Sequence, residues 1–197
     1  MTGATQVSTE KFIDRIIEKN ERIRKSWSNP HGWAPDAAAQ LLSKSRLDWQ
    51  VALSHCLRLW IKPFPEHKES GYLILGYANL GSLVEGTMML FLSVHYKDYC
   101  SDGSDDDTLK DDDGKLRNPD SLTFDPLREF IKKINILESS WDVWLRRVQQ
   151  RRNAIHAFKS RDIGTHKELL EDMPRYLDFI ERIDSHLPYL ESEEPDY

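Results

Sequence analysis

"YLILGYANLGSLVEGTMMLFLSVHY", residues Tyr72 to Tyr96, carries the decision between a membrane protein and a helical bundle. It is long enough to cross a bilayer, which takes about 20 apolar residues in a helix. Asn79, Glu85 and His95 lie inside it, Gly76, Gly81 and Gly86 interrupt it, and no basic cluster clamps its ends. The stretch therefore predicts the buried central helix of an all-α protein, spanning about Ser70 to Tyr99. Ala78, Ser82 and Gly86 recur at i, i+4 and i+8, so one face is lined by small residues. Such a face lets another helix approach closely, either inside the bundle or across a dimer seam.

Helical periodicity continues on both sides, and no strand-like alternation persists. A first helix is expected from Thr9 to Trp27, with Phe12, Ile13, Ile16, Ile17 and Ile23 on one stripe. "SNPHGWAP" at Ser28–Pro35 ends it. Asp36 can cap a second helix carrying Leu41, Leu42, Trp49, Leu53, Leu57 and Trp60, which stops before Pro63 and Pro65.

Beyond the central helix, the acidic stretch 101–121 reads as a solvated, mobile loop. It lacks the EF-hand pattern of alternating ligands, glycine and a final glutamate. Asp125–Pro126 looks like a helix start, and a fifth helix is expected from about Ser140 to Arg161. "THKE" at Thr165–Glu168 has the capping-box pattern for a sixth, in which Pro174 should produce a kink or break. The expectation is a single domain over 1–197, an all-α helical bundle of about six helices with a frayed tail.

The chain has 197 residues, 39% hydrophobic and 30% charged, with a formal net charge of −6. That balance fits a globular core and excludes a basic body that coats nucleic acid nonspecifically. Cys56 and Cys100 show no metal-type or disulfide-framework spacing, and no secretory signal opens the sequence, so a cytoplasmic location without membrane attachment is expected. No metal and no cofactor are expected. His55 and His95 read as structural or surface histidines, and Trp141 and Trp144 as core residues.

Charge is distributed unevenly. From Arg146 to Arg161 there are six Arg or Lys residues and no Asp or Glu. Within that segment "RRNAIHAF", residues 151–158, places two arginines, an asparagine and a histidine close together. On a continuing helix Arg151, Arg152 and Asn153 would present toward His156. A guanidinium can hold a phosphate and stabilise charge on its oxygens, and an imidazole can move a proton near neutral pH. Arg147, Arg151, Arg152, Lys159 and Arg161 are the candidate nucleic-acid contacts. Which arginine pairs with His156 stays open, and the same residues could simply solvate a helix face. Glu85, on an otherwise apolar face, needs a partner, with Arg151, Arg152 and His156 as the expected candidates and a water-exposed helix edge as the alternative.

The Arg-x4-His spacing of Arg151 and His156, on a late helix of an all-helical bundle, resembles the HEPN superfamily (higher eukaryotes and prokaryotes nucleotide-binding). The likeness covers Gly71 to about Leu187. It implies a HEPN-like core over 69–190, with residues 1–68 as an added extension of two helices. It also implies a metal-independent RNA endonuclease with Arg151 and His156 catalytic, Asn153 or Arg152 orienting them and Glu85 supporting. The partners implied are RNA, a second copy of the chain in a homodimer and, for toxin or antiviral members, an antitoxin. Phe158 stands where related toxins carry a modifiable tyrosine. The other readings are a noncatalytic HEPN-like binding module and a helical scaffold that docks a partner.

Overall fold

The computed structural model describes residues 3–29, 31, 34–102, 107–156 and 159–189. Among them are eight α-helices: α1 (Gly3–Trp27), α2 (Asp36–Ser43), α3 (Leu47–Cys56), α4 (Glu69–Val94), α5 (Tyr96–Asp102), α6 (Phe124–Ile134), α7 (Ser139–Arg152) and α8 (His166–Asp184). The protein is an all-α bundle, as the periodicity predicts, with more helices than the six expected.

Both extra helices come from breaks that side chains stabilise. The expected second helix divides at Ser45, whose N–H and hydroxyl both donate to the Leu42 carbonyl, at 3.0 and 2.5 Å, closing α2 before α3 begins. The central helix stops at Val94. His95 leaves helical geometry, its imidazole lying 3.1 Å from the His186 carbonyl and 3.2 Å from Asp98, and α5 resumes at Tyr96.

Hydrophobic burial explains the position of α4. Leu73, Tyr77, Leu80, Leu83, Val84, Met88, Phe91 and Leu92 are all buried, and α2, α3, α6, α7 and α8 pack around the helix. This is the one helix long and apolar enough to suit a bilayer among the described residues, and the bundle covers most of that apolar surface. The N-terminal region is part of the same core: Ile13, Ile16, Ile17, Ile23 and Trp27 of α1 join one cluster with Leu80, Met173 and Phe179.

The acidic loop is more anchored than its charge suggests. Leu109 is buried, Lys110 and Leu116 form an antiparallel bridge, and the Tyr99 hydroxyl donates to the Arg117 carbonyl at 2.7 Å. Three apolar side chains, Tyr99, Leu109 and Leu122, hold the described parts of this segment onto the bundle. Residues 103–106 lie outside the described residues, as do the tail expected to fray and Ala157 and Phe158.

Three helix starts were anticipated. At α8 the capping box forms: the Glu168 N–H donates to the Thr165 hydroxyl while the Glu168 carboxylate accepts from the Thr165 N–H. Pro35 rather than Asp36 occupies the N-cap position of α2, and Thr123 rather than Asp125 that of α6, neither with a side-chain capping bond, so Asp36 and Asp125 fall in the first turns, where their charge still suits the helix dipole. α8 continues through Pro174 to Asp184 as one helix, without the expected break. Its neighbours Met173, Tyr176 and Leu177 are buried against the core and hold that turn in place.

Candidate functional site at the end of α7

The basic segment does not form one long helix. α7 ends at Arg152, the tighter turn Asn153–Ile155 follows, and His156 has φ −87° and ψ 83°, outside helical geometry. Its N–H reaches back to the Asn153 carbonyl at 3.2 Å. The helical spacing that would have aligned Arg151, Arg152 and His156 therefore stops just before the histidine. Ala154 is buried as expected, whereas Ile155 is exposed.

Arg151 turns inward. It is only 3% exposed, and its guanidinium donates through Nη1 to the Tyr77 hydroxyl at 2.6 Å. Nη2 donates to Glu168 at 2.6 Å and Asp162 at 3.1 Å, and Nε donates to Asp162 at 3.3 Å. Gly164, at φ +69°, lets the chain lie against this group, since a Cβ there would come within 2.5 Å of the guanidinium carbon. Burial works against the Arg151 charge, but its bonds to Glu168, Tyr77 and Asp162 outweigh that and hold it more firmly protonated than usual.

Behind it sits Asp172, 1% exposed on α8. Asp172 accepts from the Tyr77 hydroxyl at 3.0 Å, the Trp144 indole at 2.9 Å and Arg147 Nη2 at 2.5 Å. Arg151 lies 3.8 Å from it. The two arginines of one α7 face thus neutralise a buried carboxylate and tie α7 to α4 and α8. Arg151, the expected catalytic arginine, is thus enclosed by Tyr77, Asp162, Glu168 and Asp172, and Arg147, an expected nucleic-acid contact, pairs with Asp172 while its side chain stays exposed.

The same cage should make the fold acid-sensitive. The hydrogen bond from Arg151, ahead of the opposing effect of burial, holds Glu168 below its ordinary value of 4.5. Asp162 is lowered first by the Gly164 N–H, then by Arg151 against burial. Both carboxylates favour the charged form on folding, so their contribution is complete above the unfolded pKa and is lost as pH falls through the folded one. Thermal melts should show the midpoint dropping as the buffer is taken below pH 4.5, with a smaller drop over that interval for Glu168→Gln. An equal drop in both would mean the acid sensitivity lies elsewhere.

Arg152 faces the other way. Its Nη2 donates to Glu85 at 2.5 Å, and both side chains are partly exposed. Its aliphatic stem crosses Gly81, where a Cβ would sit 2.7–2.9 Å from Arg152 Cβ, Cγ and Cδ. Glu85 thus meets one of the three partners expected from sequence. Burial nevertheless raises the Glu85 carboxyl, against the pull of Arg152. Asn153 is half-buried, while His156, Lys159 and Arg161 are exposed. Among the described residues the His156 imidazole makes no hydrogen bond or ion pair, which leaves it open to solvent chemistry.

Tyr77, Asp162 and Asp172 were not singled out from sequence as site residues, and Glu168 only as part of a capping box. Asp172 did carry a signal: it lies among Leu169, Met173 and Tyr176 on the apolar face of α8, the same reasoning that marked Glu85. Trp141 and Trp144 are buried, Trp141 beneath the Arg175 guanidinium at 4.0 Å. The His55 ring lies 2.9 Å from an Arg58 nitrogen. Among the described residues no group of three or more His, Cys, Asp and Glu side chains converges as a metal site. Comparison with protein families, with characterised proteins and with solved structures finds no match to this chain.

Proposed function

We propose that the chain is a HEPN-like RNA endonuclease whose working pair is Arg152 and His156. The observation that carries this reading is the division at the end of α7. Arg151 is enclosed by carboxylates, whereas Arg152, paired with Glu85, and Asn153 are partly exposed and His156 is exposed, within a segment free of acidic residues. His156 accepts the proton of a ribose 2′-hydroxyl, and the 2′-oxygen attacks the adjacent phosphorus. The P–O5′ bond breaks, the 5′-oxygen takes a proton, and the products are a 2′,3′-cyclic phosphate and a 5′-hydroxyl. Arg152 exchanges the Glu85 carboxylate for phosphate oxygens and stabilises the charge that develops on them. No metal or cofactor enters this chemistry. A homodimer would bring two such pairs to one RNA, and an antitoxin partner would belong to the toxin form of this role.

A second reading, a noncatalytic nucleic-acid-binding module, is favoured by the enclosure of Arg151, the arginine at the spacing that the resemblance makes catalytic. One experiment separates the two. Wild type and His156→Ala are incubated with a mixed RNA pool in EDTA, and fragment ends are identified. Cleavage leaving 2′,3′-cyclic phosphates, reduced about 100- to 10,000-fold in His156→Ala, is expected. Binding without cleavage by either protein selects the module. Neither binding nor cleavage overturns the RNA reading altogether.

A further inference from the structure

We infer that the cavity between the end of α6 and the start of α7 binds a small uncharged molecule that carries a carbonyl oxygen on an apolar body. The connection 135–138, turned at Asn135 (φ +58°), sets the two helix ends on either side of it. Its volume is about 420 Å³, within the size range of small-molecule sites. Ile131, Leu137, Trp141 and Leu145 form the apolar wall, and all but Leu137 are buried. Arg128 lines the same cavity and is only 5% exposed. Its Nη1 donates to Asp142, and its Nη2 donates to Glu129 at 2.6 Å and to Asp125 at 3.4 Å. Its Nε is buried and has no hydrogen-bond partner among the described residues. A buried donor left unmet is costly, and an oxygen entering the cavity at Arg128 removes that cost.

Charge decides the class of ligand. The Arg128 guanidinium already meets three carboxylates, and Lys132 lies 3.8 Å from Glu129. Within the wall, Arg128 and Lys132 are balanced by Glu138 and Asp142. An anionic head would face carboxylates with no uncompensated cation to hold it. A cationic head would bring donors to a wall whose unmet group is itself a donor. A neutral carbonyl accepts from Nε and adds no charge. α7 begins in the same wall at Ser139, and Glu138, at its N-cap, makes no side-chain capping bond. The backbone donors of that first turn therefore also favour an oxygen acceptor. An amide with a branched aliphatic group combines such an oxygen with a body that suits Ile131, Leu137 and Leu145. α7 is 14 residues long, which sets this cavity roughly 20 Å from Arg152. The two sites are independent, and either can fail alone.

The test titrates N-acetyl-leucinamide into the full-length protein and follows the Arg128 Nε–H signal by proton–nitrogen NMR. N-acetylleucine, the same body with a carboxylate in place of the amide, is titrated in parallel. The signal should shift and saturate with the amide, and the carboxylate should bind roughly 10-fold or more weakly. Leu137→Trp fills the cavity from its half-buried edge, leaves Arg128 in place and should abolish the shift. Arg128→Lys keeps the charge but lacks the Nε donor, and should weaken binding roughly 10- to 100-fold. If Arg128→Lys does not fold, the wild-type signal and Leu137→Trp decide the question. A signal unmoved up to the solubility limit of the amide overturns the site. So does equal binding by Leu137→Trp, which places the amide elsewhere, or wild-type affinity in a folded Arg128→Lys. Tighter binding of N-acetylleucine overturns the uncharged class and makes this an anion site.

Discussion

Arg151→Met should lower the unfolding free energy by about 3 kcal/mol, the value for leaving one side of a buried ion pair without its partner. The lower end of that range applies because Asp172 keeps Arg147 and Trp144. Tyr77 would lose the cation that donates to its hydroxyl, and Glu168 would keep only Thr165. For a chain of this size the melting temperature should fall by roughly 6–12 °C, read by circular dichroism in a two-state melt. Arg151→Lys should recover only part of the loss, because one ammonium cannot reach Tyr77 and Glu168 with the geometry of a planar fork. A methionine variant as stable as wild type would show that the cage contributes nothing net, as happens when a buried charge cluster is replaced by well-packed apolar groups.

The neighbouring arginine should behave in the opposite way. Arg152→Ala should reduce single-turnover RNA cleavage about 100- to 1,000-fold, the range for removing one group that stabilises developing charge. Its melting temperature should move little, since Glu85 is partly exposed and can take up water in place of the guanidinium. Arg151→Lys, by contrast, should cut RNA at a rate that follows its folded fraction. The pair of variants distinguishes a phosphate-holding residue from a fold-holding one, two positions that differ by a single step along the chain. A folded Arg151→Lys that has lost cleavage, beside an active Arg152→Ala, would reverse the two assignments.

The opposite fates of these two arginines could not be read from spacing. Apolar periodicity located α1, α4 and α8, because burial of one face is written at 3.6-residue intervals in Ile13–Ile23, Leu73–Leu92 and Leu169–Ile183. The Thr165–Glu168 pattern located the start of α8 because its chemistry is local. Glu85 announced its need for a partner because a carboxylate on an apolar face is costly. Arg151 gave no such signal. Its partners come from α4, the 159–165 connection and α8, brought together only by packing, and a sequence of arginines looks equally basic whether it faces water or carboxylates. The end of α7 was equally hidden, for neither proline nor glycine stands between Arg152 and His156. The interval counted along a helix then assumed a helical His156, whereas the tighter Asn153–Ile155 turn takes the backbone out of helical geometry at that residue.

Glu168 closes two structures with one carboxylate. One oxygen accepts the Thr165 N–H and hydroxyl at the start of α8, and the other accepts Arg151 from the end of α7. The two termini are therefore linked: loosening the first turn of α8 takes one acceptor from Arg151, which keeps Tyr77 and Asp162, and withdrawing Arg151 leaves the Glu168 carboxylate on Thr165 alone. Native-state hydrogen exchange should then show the amides at the two ends opening together rather than in the graded order of ordinary helix ends.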